Sequence, residues 1–484
     1  MKEGPPLTPS KNFKTKNIDQ EIKSYTKEPT MPLDQTIINT YTSILREELV
    51  PAMGCTEPIA IAYAAAILRH ALGDLPEKLE VSLSGNIIKN VKSVIVPATG
   101  GMHGIAAAVA AGIISGCPDK KLEVLGCLTP RDHPRIAAYI QSTPMQLTEL
   151  DTPHPFEVIL TGYSAKDTAT VHLVRRHTNI ASVTRNGEDV TSRYADECVL
   201  GSASLSSPDA NGEEDCQHAA ARELLTVENI VKFADEADLT ELRPLLKRQM
   251  NMNMAIAEEG LQNEWGAAIG RLLYGSYVMD RECLGDAALD PISLRNKARA
   301  YAAAGSDARM SGCELPVCIL SGSGNQGITA SVPVVIYGRA MKLEEDTILR
   351  GLLVSSLITI HQKTGIGCLS AYCGAISAGC GCGAGICYLH GGRYYEIAHT
   401  LVNAIAILSG TICDGAKPSC AAKIAMAVEA GIMGYEMMKS GHQFYGGDGI
   451  VTKGVENTIR NVGRLARDGM SGTDREIIRI MLGE

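Results

Sequence analysis

Apolar positions along the first half of the chain change period several times, and each change predicts a change of element. Ile37, Ile38, Tyr41, Ile44 and Leu45 stand at helical spacing within residues 34–48. Pro51 and Gly54 break that pattern. Thr56, a capping residue with Pro58 just inside the next turn, predicts a second helix through the Ala-rich run 59–72. Short β-branched or apolar runs at 79–83, 91–96 and 122–125 predict strands, with a buried helix over 104–114 between them. A second group of strands is expected at 146–150, 156–161, 168–174 and 180–185, and Asn186-Gly187 signals a hairpin turn after the last.

From residue 229 onward the spacing is mostly helical. The run 322–327 and the glycines between 365 and 392 are expected to interrupt it. Residues 394–408, with Ile397, Leu401, Ile405 and Leu408 on one face, predict a helix, as do residues 419–438. The fold class is therefore α+β, with a mixed part carrying short strands over residues 32–228 and a largely helical part over 229–484. Residues 1–31 are polar and read as a disordered tail, and the acidic Ser/Gly-rich stretch near 198–217 reads as a surface loop.

Composition narrows the function. A chain of 484 residues exceeds one usual core. A net charge of −9 argues against nucleic acid or an anionic membrane as a partner, since both require a basic surface. No run of about 20 apolar residues is present, so no transmembrane helix is expected. Without an apolar signal-peptide core, the expected location is cytoplasmic, where fifteen cysteines are reduced thiols or metal ligands rather than a disulfide framework.

Seven of the fifteen cysteines fall between Cys368 and Cys420, in a segment rich in glycine and small apolar residues. Cys117, Cys127, Cys283, Cys313, Cys318 and Cys387 read as small buried hydrophobes, and Cys380 and Cys382 as packing residues among glycines. Three thiols have settings that favour the thiolate. Cys55 precedes a helix start, Cys420 lies in a first helical turn beyond Pro418, and Cys413 sits in the turn CDGAKP; exposed N–H groups at a helix N-terminus lower a thiol pKa. Close CxxC pairs are absent, as is the ferredoxin run CxxCxxCxxxCP, so spacing alone specifies neither zinc nor an electron-carrying cluster.

Two glycine-containing loops complete the candidate chemistry. SGSGNQG at 321–327 brings backbone N–H groups and hydroxyls close together, as a carboxylate site requires, without the spacing of a phosphate loop. In VPATGGMHG at 96–104 a strand-like run ends beside His103. His103, His361 and Lys417 are the titratable candidates near these segments.

Together these pieces resemble the iron–sulfur L-cysteine desulfidases, a family related to the α-domain of bacterial iron–sulfur L-serine dehydratases. The resemblance is carried, in order along the chain, by PAMGCTEP at 51–58, GNIIKNVKSVIVPATG at 85–100, SDARM at 306–310, SGSGNQG at 321–327, AYCGAISAGCG at 371–381 and ICDGAKPSC at 412–420. It implies a [4Fe–4S] cluster on three cysteines, best matched by Cys55, Cys373 and Cys413, with Cys420 competing with Cys55 for the third place. On that reading Ser321, Ser323 and Asn325 are expected to grip the carboxylate and amino group of a small L-amino acid, with Thr99 and Lys417 assisting; the sequence does not identify the base, for which His103 and His361 are the candidates. No pyridoxal phosphate is expected. The reaction implied is release of sulfide from L-cysteine to leave pyruvate and ammonia. The alternatives are L-serine dehydration and, in another class, a non-catalytic thiol or metal-binding protein. Gly- and Ala-rich helices offer faces for a homodimer.

Overall fold

The computed structural model describes residues 32–194, 220–277, 290–367 and 369–483. The expected tail, the acidic loop, Cys283 and Cys368 lie outside these residues. Helix α1 (Gln35–Glu48) is capped by Asp34, whose side chain accepts from the Thr36 amide. Strand β1 (Pro51–Met53) leads through Gly54 into α2 (Thr56–Leu72), which is buried on nearly all sides. Strand β2 (Lys78–Ser84), α3 (Gly85–Val91), α4 (Gly104–Ser115) and α5 (His133–Ser142) follow. β2 then joins β3 (Met145–Leu150), β4 (Glu157–Tyr163), β5 (Thr168–Val174), β6 (Ile180–Arg185) and β7 (Glu188–Asp189) in a sheet of order β3-β2-β4-β5-β6-β7. All its pairings are antiparallel except β2 with β3. The β6–β7 turn places Asn186 at φ 52° and Gly187 at φ 84°, the left-handed pair that a two-residue hairpin demands.

One face of the sheet packs on α2, which packs in turn on α4. That crossing is close: a Cβ on Gly112 would lie 2.2 Å from the Ala62 carbonyl oxygen. Two expected strands are corrected. Residues 91–96 hold the end of α3 and an irregular segment with a single bridge from Ile95 to His103. The run at 122–125 straddles the end of a 3-10 helix over Pro118–Glu123 and a turn. Both runs are apolar because they are buried, and burial alone does not distinguish strand from turn.

The second half is a helical array: α6 (Val227–Glu236), α7 (Leu239–Gln262), α8 (Ile269–Tyr277), α9 (Pro291–Met310), then β8 (Pro316–Cys318), α10 (Gly324–Ala340), α11 (Glu345–Ile366), α12 (Gly374–Leu389), α13 (Tyr394–Leu408), α14 (Cys420–Lys439), α15 (Val455–Arg464) and α16 (Ser471–Leu482). The glycines of 374–389 do not interrupt the helix as expected. They form α12, buried from Ala375 to Leu389 and packed on α10, α11, α13 and α14. Glycine costs about 1 kcal/mol in a helix interior, but it lets backbones touch. A Cβ on Gly379 would lie 2.3 Å from the Ala427 oxygen, and one on Gly383 would lie 2.4 Å from the Gly431 oxygen. The two halves are joined by β1, which pairs antiparallel with β8 in the register Pro51 to Cys318. Among the described residues no helix is long and apolar enough to cross a membrane.

Candidate active site

The β1–β8 ribbon sets two chain turns side by side. Cys55 is the residue before α2, and the Thr56 hydroxyl donates to the Gly322 carbonyl at 2.9 Å, tying the GCTEP turn to the SGSGNQG loop. In that loop Ser321 takes φ 47° and Gly322 φ 76°, so the chain reverses sharply before Ser323 opens α10. Gly324 cannot be larger, because a Cβ there would lie 2.3 Å from Arg309 Nε. Arg309, buried at the end of α9, is thereby held against the loop. Asn325 is anchored by the Ser306 hydroxyl at 3.2 Å and donates to Met310 Sδ at 3.2 Å.

The cysteine segments meet on the other side. Cys373 precedes α12 and Cys420 begins α14, two helices in glycine-mediated contact. Cys413 lies between them, its amide donating to the Ala371 oxygen at 2.6 Å while the Cys373 amide donates to the Thr411 oxygen at 3.2 Å. Lys423 clips the turn by donating to the Ile412 oxygen at 2.9 Å and the Asp414 carboxylate at 2.5 Å.

These segments enclose a cavity of about 100 Å³ lined by Cys55, Cys373, Cys413 and Cys420 together with Ser321, Ser323 and Asn325. Cys55 and Cys420, expected as rivals, pack into the same small cluster with Val94 and Met310. The remaining sequence candidates stand elsewhere. The Thr99 hydroxyl donates to the Val96 oxygen at 2.7 Å and stabilises its own turn. His103 is an exposed residue before α4, and His361 Nε2 pairs with Glu456 at 2.7 Å. Lys417 pairs with Asp414 beside the cysteine turn, and none of these four lines the cavity.

Sequence reading passed over several residues that do line it: Glu57, Asn90, His177, Arg309, Gln326, Lys363 and Lys423. Glu57 is buried, accepting from Cys55 Sγ at 3.0 Å, Thr56 Oγ1 at 3.1 Å and Asn90 Nδ2 at 3.1 Å. Burial works against its charge, but His177, the Cys55 thiol and Arg309 outweigh that and hold its pKa below the usual carboxylate value. His177 follows β5, with its ring 4.7 Å from that of Phe156. Burial lowers its pKa, partly opposed by Glu57. Five buried polar atoms of this lining have no hydrogen-bond partner: Asn90 Oδ1, His177 Nε2, Arg309 Nε, Ser321 Oγ and Gln326 Oε1. Buried polar atoms are otherwise almost always paired, so such a concentration marks a place built for a polar ligand.

At Cys55 and Cys420 the helix start does not lower the thiol pKa as expected, and Cys373, also before a helix, behaves alike. Burial pushes the Cys55 thiol well above its ordinary value, raises Cys373 to about 12 with help from Cys413, and raises Cys420. Desolvation outweighs the helix N-terminus at all three. Among the described residues, no three Cys, His, Asp or Glu side chains stand together at the spacing of one bound ion. An all-thiol donor set drawn from separated segments fits an iron–sulfur cluster, which is itself several atoms wide, better than a single tetrahedral zinc, whose Zn–S bonds are about 2.3 Å. Of the cysteines read as core, Cys313, Cys318, Cys380, Cys382 and Cys387 are buried, whereas Cys117 is half-buried and Cys127 exposed.

The sequence profile of the family described as serine dehydratase alpha chain matches residues 119–479. A UPF0597 protein of Desulfitobacterium hafniense is 49% identical over 445 residues, covering 92% of this chain and 97% of its own. UPF0597 proteins of Treponema denticola and Bacteroides fragilis are 43% and 35% identical, over 93% and 91% of this chain and 100% and 96% of theirs.

Proposed function

The chain belongs to the serine dehydratase alpha chain family, and from that premise we propose that it is an iron–sulfur-dependent lyase that removes the β-substituent of a small L-amino acid. Our preferred substrate is L-cysteine, giving sulfide, pyruvate and ammonia. One observation carries the reading: four thiols and five unpartnered buried polar atoms converge on one small cavity. Cys373 and Cys413 would hold a [4Fe–4S] cluster with Cys55 or Cys420 as third ligand. When bound, the cluster supplies a Lewis-acidic iron.

The protein's own groups divide the remaining work. Arg309, Ser321, Ser323 and Asn325 grip the carboxylate and amino group. Among the described residues His177 is the one imidazole in the lining, and burial lowers its pKa, partly opposed by Glu57, which favours the neutral ring able to accept a proton. It replaces His103 and His361 as the base. The imidazole takes the Cα proton, and the electron pair left behind forms the Cα–Cβ double bond as the Cβ–S bond breaks. Sulfide leaves with the bonding pair. The resulting 2-aminoacrylate tautomerises to an imine, which water hydrolyses to pyruvate and ammonia.

The test is anaerobic cluster reconstitution followed by iron, sulfide and pyruvate assays with L-cysteine and, side by side, L-serine. Turnover of L-cysteine that is lost in Cys413→Ala is expected. Protein that takes up no iron, together with unchanged lyase activity in Cys413→Ala, overturns the reading. Faster release of pyruvate from L-serine reassigns the substrate.

A further inference from the structure

A second cavity, of about 580 Å³, shares His177, Ser321, Gly322 and Lys363 with the inner one. These four residues are therefore a common wall between a small chamber rich in thiols and a larger one without them. The wall is thin at Gly322, where a Cβ would lie 3.2 Å from His177 Cε1.

The larger chamber carries both signs of charge. Arg175, Arg176, Arg222 and Lys363 line it, against Glu47 and Glu48. Arg222 joins Glu47 at 3.1 Å and Glu48 at 2.5 Å, and Arg176 also pairs with Glu47. Four cationic groups against two carboxylates leave this chamber positive in a chain of net charge −9. A positive concavity in a negative molecule concentrates carboxylates, and carboxylate side chains within it offer partners to an ammonium. Nucleic acid and long anionic chains do not fit so small a space, whereas a free amino acid does.

We propose that this chamber is an antechamber, through which a small zwitterionic amino acid reaches the inner cavity across the His177–Gly322 wall. The inference rests on the proposed lyase reading for its substrate, but the route has a test that needs no turnover. In full-length protein before cluster reconstitution, Cys55 and Cys373 are alkylated with iodoacetate or iodoacetamide and followed by peptide mass spectrometry. Cys127, exposed and outside both cavities, is the internal control.

Thr178→Trp and Thr364→Trp each put bulk into the antechamber from a residue outside the catalytic machinery. Each is expected to slow labelling of Cys55 and Cys373 about tenfold with both reagents and leave Cys127 unchanged. Arg175→Gln is expected to slow the anionic reagent roughly threefold and not the neutral one. Unchanged labelling of both inner thiols in both Trp variants overturns the route and assigns entry to the cysteine-loop side. Slowed labelling in a protein that never turns over L-cysteine or L-serine leaves the route standing and sinks the lyase reading instead.

Discussion

At the scale of single residues, the proposed reaction turns on His177, which lines the cavity with an unpartnered Nε2. In the sequence it is one histidine in HLVRRHTNI, with no motif around it; its role depends on β5 ending beside the SGSGNQG loop. The cysteines were legible because clustered thiols in a chain of this class are chemically unusual, and Ser321 and Asn325 because Gly/Ser loops expose backbone donors. Glu57 and Arg309 were hidden, since a buried charged group declares itself only by the partners it finds. Replacing His177, the proposed base, by Asn keeps a polar side chain of smaller volume but removes the imidazole. The turnover number is expected to fall by about 10²–10⁴ with a smaller change in KM and unchanged iron content. Exchange of the substrate Cα proton with deuterated solvent should disappear in parallel, a loss that damage to the fold alone, with the cluster intact, would not cause.

Elements place the thiols through helix contacts that only glycine permits. Cys373 and Cys420 sit at the starts of α12 and α14, and a Cβ on Gly431 would lie 2.1 Å from the Gly379 carbonyl oxygen. Read along the sequence, these glycines looked like helix breaks; across the interface they are what allows the contact. Gly431→Ala is expected to cost about 1–3 kcal/mol by overpacking, seen as a lower midpoint in urea. With the proposed cluster reconstituted, shifting one helix start against the other should also lower iron retention at temperatures where the protein is still folded.

A second element-scale effect lies at the start of α8. Asp307 Oδ2 accepts from the Gly270 amide at 2.8 Å, while burial raises its pKa from 3.8 to about 6 against the help of the Gly270 and Ile269 amides. Between those two values the folded protein binds more protons than the unfolded chain, so this carboxyl removes stability as pH rises through the window. Thermal unfolding of wild type and Asp307→Asn across that range checks the sign. The wild type should lose ground against the variant up to about pH 6, and the difference should then level off.

For the whole molecule, the question is how residues more than three hundred positions apart are held in one site. Cys55 reaches it from the start of the sheet-bearing half, Cys373, Cys413 and Cys420 from the helical half. Ordered motifs in the sequence singled out the four thiols that line the cavity but not the fasteners. One fastener is the β1–β8 ribbon. Another is Lys89 on α3, whose side chain is 1% exposed and pairs with Asp474 on α16, 13% exposed. The same ammonium lies 3.5 Å from the Cys413 carbonyl oxygen, and Gly415 must be glycine because a Cβ would sit 2.7 Å from the Lys89 oxygen. A lysine inside GNIIKNV carries no local sign of this, since its partner is hundreds of residues away and the spacing between them encodes nothing. Removing one member of a buried pair leaves the other charge uncompensated, at a cost of about 3–5 kcal/mol, whereas replacing both by apolar groups is often nearly neutral. Lys89→Met should therefore lower the unfolding free energy by roughly that amount, and Lys89→Met with Asp474→Leu should recover most of it. If the single variant unfolds at the same urea concentration as wild type, the pair is not what joins the last helix to the cysteine turn, and the β1–β8 ribbon and the Thr56–Gly322 hydrogen bond remain as fasteners.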